Sequence, residues 1–377
     1  MTSELPTVPL ELRPADGRFG CGPSRIRADQ LDALGTPLLM GTSHRQAPVR
    51  SVVHSVREGL TQLFDLPDGW EVVLGNGGTT TFWAVATACL VERRSAHASF
   101  GEFGHKFVTE TSAAPFLETP AVVEAAAGEV AILTGDEGGD GLSAPDVFAY
   151  PHHETSTGAI SPVRRIGHGD ALTLVDATSV AGGALVDVSA TDAYYFAPQK
   201  CFGSDGGLWV ALLSPAAQER ARRLHAATDR WVPQILDLAV AMDNSSKDQT
   251  LNTPAVATLV LMERQIAWML AGGGLEAMAR RSRAASDLIY DWAEASDVAA
   301  PFVTNPQWRS PVVATVDFSE QVDAARLAAA LRASGIVDVE PYRKLGRNQL
   351  RIATFPSTHT SDVEALLASV DWLLPRL

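Results

Sequence analysis

A lysine and an aspartate that follow two apolar runs are the residues of this chain best suited to chemistry. Residues 172–175 (LTLV) lead into Asp176, and residues 193–196 (AYYF) are followed within a few residues by Lys200. Open α/β folds bind ligands at the carboxyl edge of their strands, so we expect both side chains at one edge. A partly desolvated lysine has the lowered pKa that an attacking amine needs. Taken singly, a strand-end aspartate is more often a turn former and a lone lysine more often a surface group.

A glycine-rich turn supplies a candidate anion site. Residues 75–80 (GNGGTT) follow the strand-like run 71–74 and precede the helical pattern at 82–90. Glycines let the backbone approach a phosphate, and the following helix presents free N–H groups, to which Thr79 adds a hydroxyl. Such a turn is usually structural. A dinucleotide-binding interpretation fails because the last glycine of GxGxxG is absent, although Glu92 could serve as the later acidic residue.

The three features together are far more specific than any one of them. A glycine turn, a strand-end aspartate and a strand-end lysine occur in this order along the chain. Pyridoxal phosphate needs such groups for its phosphate, its pyridine nitrogen and its aldehyde carbon. The pattern therefore predicts a site for this cofactor.

The elements that position these residues indicate two domains. The chain has 377 residues, too many for one typical compact core. Apolar runs alternate with helical patterns over the first two thirds, which predicts an α/β layer with a mostly parallel sheet. We expect a large domain at residues 18–270 and a small α+β domain at 271–377, with segment 1–17 packed on the latter. The predicted strands are 71–74, 96–100, 130–133, 147–150, 172–175, 193–196, 208–213, 312–317, 337–340 and 349–354, and the predicted helices are 49–63, 82–90, 216–227, 253–270, 275–296, 323–334 and 361–374.

Composition excludes several classes of function. The formal net charge is −14 and no dense run of Lys or Arg occurs, which argues against binding of nucleic acid or an anionic membrane. No apolar run approaches the roughly 20 residues needed to cross a bilayer, and we expect a cytoplasmic protein. The three cysteines are far apart and form no CxxC pair, so no metal site is predicted.

Four motifs resemble those of fold-type I pyridoxal-phosphate enzymes of class V, specifically the phosphoserine aminotransferases. They are residues 75–78 (GNGG), 154–158 (ETSTG), 176–179 (DATS) and 197–200 (APQK). Residues 19–24, 41–45 and 251–254 resemble further family segments, so nearly the whole chain is covered. The resemblance implies an α/β fold-type I PLP-transferase, whose large domain has a mostly parallel seven-stranded sheet and whose small C-terminal domain is α+β.

The resemblance also implies roles for the cofactor-binding residues. Lys200 would form the Schiff base and shuttle a proton, and Asp176 would pair with the pyridinium nitrogen. Asn252 and Thr253 would contribute from a second subunit, which implies a homodimer with shared active sites. The remaining cofactor-binding residues would be Gly78, Thr79 and Gln199 at the phosphate, Thr155 at the phenolic oxygen and Phe103 stacked on the ring.

The implied substrate site holds two anionic groups. His44, Arg45 and Arg343 would bind the substrate phosphate, and Arg351 would hold the α-carboxylate through a bidentate pair. The chain would transfer an amino group between L-glutamate and 3-phosphohydroxypyruvate, giving O-phospho-L-serine and 2-oxoglutarate in serine biosynthesis. Family members also act on the phosphorylated four-carbon analogue in pyridoxal-phosphate biosynthesis.

The chain differs from the family pattern at three places: the position that would stack on the cofactor ring, the residue two before Thr155, and the loop that would complete the phosphate site. Many members have Trp where Phe103 stands and Asn where His153 stands. A second His-Arg pair is common near the C-terminus, whereas this chain has Tyr342-Arg343 followed by a longer loop.

Two alternatives remain open at this point. One is an aminotransferase of the same fold that acts on serine or alanine and glyoxylate, which would not need His44 and Arg45. The other is a non-catalytic pyridoxal-phosphate-binding protein. A cysteine desulfurase is disfavoured because its catalytic cysteine lies in the C-terminal part, whereas the last cysteine here is Cys201.

Overall fold

The computed structural model describes residues 5–36, 39–138 and 141–377. The strands are β1 (Glu71–Asn76), β2 (Ser95–Ser99), β3 (Ala121–Glu124), β4 (Val147–Pro151), β5 (His153–Glu154), β6 (Ala159–Ile160), β7 (Leu172–Asp176), β8 (Ala193–Phe196), β9 (Leu208–Leu213), β10 (Ala299–Pro301), β11 (Val313–Phe318) and β12 (Gln349–Ala353). The helices are α1 (Ala28–Ala33), α2 (Ala47–Leu63), α3 (Thr79–Cys89), α4 (Glu102–Ala113), α5 (Pro215–His225), α6 (Leu238–Ser245), α7 (Val256–Ala271), α8 (Gly274–Ala295), α9 (Ala324–Ala333) and α10 (Thr360–Leu373).

The main sheet has seven strands in the order β1-β9-β8-β7-β4-β2-β3. Strand β9 runs antiparallel to both its neighbours, and the other pairs are parallel. The predicted mostly parallel seven-stranded sheet is therefore confirmed. Because the carboxyl ends of the parallel strands share one edge, the turn after β1 and the residues that follow β7 and β8 lie at that edge.

Side chains of successive strand residues enter two separate cores, one on each face of the sheet. Leu208, Val210 and Leu212 of β9 pack in the core that includes α2 and α7. Trp209, Ala211 and Leu213 pack in the core that includes α3, α5 and α6. Helices cover both faces, which explains why β4, β8 and β9 are apolar along their whole length.

A smaller antiparallel sheet, β10-β11-β12, shares a separate core with α8, α9 and α10. Val8 and Phe19 belong to this core, and the Val8 amide donates to Ser334 Oγ at 2.9 Å. The described segment from Leu5 to Leu12 therefore packs on the core of the smaller sheet. Helix α7 ends at Ala271 and α8 begins at Gly274. The domain boundary between residues 270 and 271 remains a prediction.

Two strands predicted from apolar runs are wrong. Within residues 130–133, Val130, Ala131 and Leu133 are buried and Ile132 is exposed, but none has a ladder partner, because β3 occupies the sheet edge beside β2. Residues 337–340 make only a single bridge, between Val337 and Arg18. Among the described residues, the pattern also missed the helices α1, α4 and α6.

Within residues 5–36, 39–138 and 141–377, no helix is long and apolar enough to span a membrane, and no cluster of metal-ligating side chains occurs.

Close packing explains a glycine in the middle of β1. A Cβ at Gly75 would collide with the indole of Trp209, its register partner on β9, which is fully buried. We expect Gly75→Ala to lower the free energy of unfolding by about 2 kcal/mol, because the indole cannot move without displacing the core. Denaturant unfolding measures this loss.

Gly206→Ala is the matched control for this substitution. Gly206 is exposed, and an added Cβ would meet no atom within 4 Å. The change should alter the free energy of unfolding by no more than about 0.5 kcal/mol. Equal stability of the two variants would contradict the packing argument.

Candidate active site

The carboxyl edge of the main sheet encloses a cavity of about 180 Å³. Seven of the residues predicted to bind a cofactor line it, together with five others. The lining residues are Gly78, Thr79, Thr80, Trp83, Phe103, His153, Thr155, Asp176, Thr178, Ser179, Gln199 and Lys200. The structure thus brings together the glycine turn, the aspartate and the lysine that the sequence pattern singled out.

The Lys200 amine is desolvated at the base of the cavity. Its pKa is lowered from 10.5 to about 8, mainly by burial and also by the positive charge of Arg351, whereas Asp176 opposes the shift. The amine donates a hydrogen bond to the carbonyl of Cys21. A lysine with this pKa has a substantial neutral fraction near pH 8 and can act as a nucleophile.

Asp176 is held by three hydrogen bonds at the end of β7. Its Oδ1 accepts from the Thr178 amide at 3.0 Å and from the Thr178 hydroxyl at 2.6 Å, and its Oδ2 accepts from Trp83 Nε1 at 3.0 Å. Burial raises the pKa of Asp176, while these hydrogen bonds and the Lys200 charge act in the opposite direction. The donors therefore favour the anionic form in an environment that otherwise penalises charge.

Trp83 is a site residue that the sequence pattern did not predict. Its signal is its position in α3, four residues after Thr79, because residues four apart lie on the same helix face. The indole that donates to Asp176 and the hydroxyl of Thr79 consequently both line the cavity.

The start of α3 forms an anion cradle. Gly77 has φ +114°, and a Cβ there would collide with Thr81. Gly78 precedes the helix and has open space where a side chain would stand. The first N–H groups of a helix lack intrahelical partners and attract anions. The Gln199 amide also lines the cavity, and its oxygen has no hydrogen-bond partner among the described residues.

A buried glutamate places Phe103 over the cavity. Glu154 Oε2 accepts from the amides of Phe103 and Gly104 at 3.0 and 3.1 Å, at the start of α4. This contact satisfies two of the unpaired N–H groups at a helix terminus. The Phe103 ring lies 6.0 Å from the Tyr342 ring, centroid to centroid, so the loop before β12 approaches a residue that lines the cavity.

Arg351, on β12, reaches the large domain. Its Nη1 donates to the Thr155 carbonyl at 3.1 Å, and its guanidinium lies 5.4 Å from the centroid of the Tyr342 ring. Its Nε is buried and has no partner among the described residues. A guanidinium with unsatisfied donors can bind a carboxylate.

The other predicted ligands of the cofactor and substrate do not line the cavity. Arg45 donates to the carbonyls of Thr250 and Leu251 at 3.2 and 2.8 Å, and His44 Nδ1 lies 3.2 Å from Thr253 Oγ1. His44 and Arg45 therefore form one surface cluster with residues 249–253. Asn252 is exposed within it. Arg343 is also exposed and lines no part of the cavity.

This arrangement fits pyridoxal phosphate. The cavity offers an amine for the aldehyde carbon, a hydrogen-bonded carboxylate for the pyridine nitrogen and a helix terminus for the phosphate. The unpartnered Gln199 oxygen and the open space at Gly78 show that the polar lining is not satisfied by the protein itself.

The lowered pKa of Lys200 predicts the pH dependence of its reactivity. In the cofactor-free protein, acylation of Lys200 should rise through a midpoint near pH 8, because only the neutral amine reacts. Arg351→Gln should move the midpoint upward, since it removes a positive charge that favours the neutral amine. Mass spectrometry of the Lys200 peptide across pH measures both.

Arg347→Gln is the control for the loss of charge. Arg347 pairs with Asp317 away from the cavity, so its removal should leave the midpoint unchanged. A midpoint near the ordinary lysine value of 10.5 in the unaltered chain would contradict the desolvation argument.

Known proteins resemble this chain over nearly its whole length. The model of the aminotransferase class-V family matches residues 34–338. The phosphoserine aminotransferase of a Nocardioides species is 54% identical over 382 residues, covering 100% of both chains. That of Corynebacterium glutamicum is 50% identical over 375 residues, covering 99% of this chain and 98% of the relative.

Solved structures show the same fold at low sequence identity. A phosphoserine aminotransferase from Cytophaga hutchinsonii has a TM-score of 0.84 and 23% identity, covering 95% of this chain and 99% of the other. An alanine–glyoxylate aminotransferase from Nostoc has a TM-score of 0.79 and 18% identity, covering 99% and 97%. The fold alone therefore does not distinguish the two activities, whereas sequence identity of about half does. The chain belongs to the class-V aminotransferases, which use pyridoxal phosphate, and within them to the phosphoserine aminotransferases.

Proposed function

We propose that this chain transfers an amino group between L-glutamate and 3-phosphohydroxypyruvate, yielding O-phospho-L-serine and 2-oxoglutarate in serine biosynthesis. The observation that carries the proposal is the Lys200 amine, desolvated between Asp176 and Arg351 beside an anion cradle. The relatives at 50–54% identity are named for this activity.

The residues of the cavity divide the chemistry among them. When bound, pyridoxal phosphate supplies an electron-withdrawing ring that stabilises negative charge on the substrate's α-carbon. Asp176 would hold a proton on the ring nitrogen, since the hydrogen bonds from Thr178 and Trp83 favour its anionic form against burial, which raises its pKa. The Lys200 Nζ anchors the cofactor and, as a neutral amine, accepts and returns the α-proton.

The remaining roles concern binding and orientation. Gly78, Thr79 and Gln199 would hold the cofactor phosphate, and Thr155 would bind the phenolic oxygen. Phe103 packs against the ring. Arg351 orients the substrate through its α-carboxylate, which both amino donors and keto acceptors share.

The substrate phosphate is bound between subunits in this proposal. His44 and Arg45 lie with residues 249–253 in one surface cluster outside the cavity of their own chain. A homodimer in which Asn252 and Thr253 of the partner subunit reach the cofactor phosphate would bring the partner's His44 and Arg45 to the same site. Arg343 lies on the exposed loop beside Tyr342 and completes the phosphate site from the small domain.

Two further assignments follow from the family. We assign the enzyme to the cytoplasm, and we include activity on the phosphorylated four-carbon analogue in the route to pyridoxal phosphate. The activity on the four-carbon analogue rests on the same substrate phosphate site. An alternative amino acceptor such as glyoxylate lacks a phosphate and would leave Arg45 without a function.

The first test is the visible absorbance of the cofactor-loaded protein. O-phosphoserine should discharge the yellow band of the lysine-bound cofactor, whereas serine and alanine should not. Arg45→Gln should raise the KM for phosphoserine by about 10- to 100-fold, because a charge-assisted phosphate contact is lost. Equal discharge by alanine would contradict the proposed substrate.

Arg50→Gln is the control for Arg45→Gln. Arg50 is also exposed near the start of α2 and bonds only to the Lys247 carbonyl among the contacts described. Its substitution should leave the KM for phosphoserine unchanged. Thermal unfolding of both variants checks that segment 249–251 stays in place.

Mixed dimers test whether the sites are shared. At phosphoserine concentrations below the natural KM, a Lys200→Ala homodimer should be inactive, and an Arg45→Ala homodimer should keep at most about a tenth of the natural activity. Random mixing gives hybrid dimers for half of the population, and one site of each hybrid then combines an intact Lys200 with an intact Arg45. Recovered activity of about one quarter of the natural level is expected. No recovery, with hybrids verified by native mass spectrometry, would place both residues in the site of one chain.

A further inference from the structure

His153 is a buried histidine with no protein partner. It lies in β5 and lines the cavity that holds Lys200, and only 4% of its surface is exposed. Neither ring nitrogen has a hydrogen-bond partner within residues 5–36, 39–138 and 141–377. Its neighbour Glu154 points the other way, to the start of α4.

The adjacent His152 shows what a satisfied histidine looks like in this segment. His152 is equally buried, yet its Nδ1 lies 3.1 Å from the hydroxyl of Tyr194 and it does not line the cavity. Buried polar groups in native proteins are almost always hydrogen-bonded. Two unpaired nitrogens on a side chain that faces a cavity therefore indicate that a ligand supplies the partner.

His153 carries no charge at neutral pH. Its pKa is lowered to about 3, mainly by burial and also by the charges of His152, Lys200 and Arg351. These are the titratable and charged groups that face it, from its own segment, from the loop after β8 and from β12. A neutral imidazole offers one N–H donor and one acceptor nitrogen.

The positions of the cavity residues indicate which atom of the cofactor would accept a hydrogen bond from His153. In pyridoxal phosphate the ring hydroxyl is next to the aldehyde carbon, on the side away from the phosphate arm. In the proposed function, the aldehyde carbon would lie at Lys200 and the phosphate at Gly78 and Thr79. His153 and Thr155 come from one segment near Lys200 and Arg351. The Thr155 hydroxyl is already bonded to Ser179 Oγ.

We infer that a ring N–H of His153 donates to the ring oxygen of the bound cofactor, beside Thr155. This inference rests on the proposed function, since it requires pyridoxal phosphate in this cavity. A neutral donor stabilises negative charge on that oxygen and makes the neighbouring lysine-bound nitrogen less basic. His153 is therefore a positioning residue that lowers the pH at which the cofactor's visible band titrates.

The test is a pH titration of the visible absorbance of the loaded protein without substrate. His153→Phe removes the donor and should raise the midpoint by about one pH unit, the equivalent of one hydrogen bond to a charged group. His153→Asn keeps a neutral N–H donor and should stay close to the natural midpoint. His152→Gln, the matched control next to it, should also leave the midpoint unchanged.

Two titration results would overturn the inference. One is an unchanged midpoint in His153→Phe, which would assign the imidazole to the substrate or to no ligand. The other is a rise of the midpoint in His153→Asn equal to that in His153→Phe, which would show that the shape of the imidazole, and not its N–H donor, sets the midpoint.

Thermal unfolding of the cofactor-free variants separates a structural role from a ligand role. Because the imidazole has no protein partner, His153→Phe should unfold at the same temperature as the unaltered chain or higher. A clear loss of stability without cofactor would overturn the inference. Failure of the unaltered chain to take up pyridoxal phosphate would instead contradict the proposed function.

Discussion

Desolvation of the Lys200 amine is the constraint on which the site depends, and the backbone before α1 imposes it. A Cβ at Gly22 would collide with the Lys200 side chain, so only glycine allows this approach. The Cys21 carbonyl accepts from Nζ. Ser24 donates twice at the same point, from its amide to the Gln199 carbonyl at 2.9 Å and from its hydroxyl to the Lys200 carbonyl at 2.5 Å. The segment excludes water from the amine and lowers its pKa to about 8.

The same segment joins the two sheets. The Phe19 amide donates to the Val337 carbonyl at 3.2 Å, and the Ala353 amide donates to the Phe19 carbonyl at 3.0 Å. Arg351, two residues before Ala353 on β12, bonds to Thr155 and also lowers the pKa of Lys200. A displacement of the small sheet would therefore change both the carboxylate-binding guanidinium and the protonation of the amine. Substrate orientation and proton transfer are physically coupled through β12.

The sequence was informative where local pattern and chemistry coincide. Fully buried strands read as apolar runs, so β4, β7, β8 and β9 were predicted, and their carboxyl ends placed Asp176 and Lys200 at one edge. It failed where tertiary contacts decide. Strand β3 is short and its residues alternate between half-buried and exposed, so it gives no apolar run. Residues 130–133 do give an apolar run, but Val130, Ala131 and Leu133 pack in the core without pairing to a strand. Helix α4 follows Gly101, which gives no helix-start signal in the sequence. Its first turn is held by Glu154, which accepts from the Gly104 amide 50 residues away.

The pattern could not assign roles to Trp83 and His153, because these depend on contacts that only the fold reveals. Trp83 reads as a core aromatic until the fold places its N–H 3.0 Å from Asp176, 93 residues later. In the sequence His152 and His153 look equivalent. In the structure His153 lines the cavity with two unpaired nitrogens, whereas His152 contacts the Tyr194 hydroxyl. A resemblance to a family transfers the residues that match its motif. It says nothing about a position where the chain departs from it, whereas an unsatisfied donor in a closed cavity does. Such departures are therefore best judged by hydrogen-bond satisfaction.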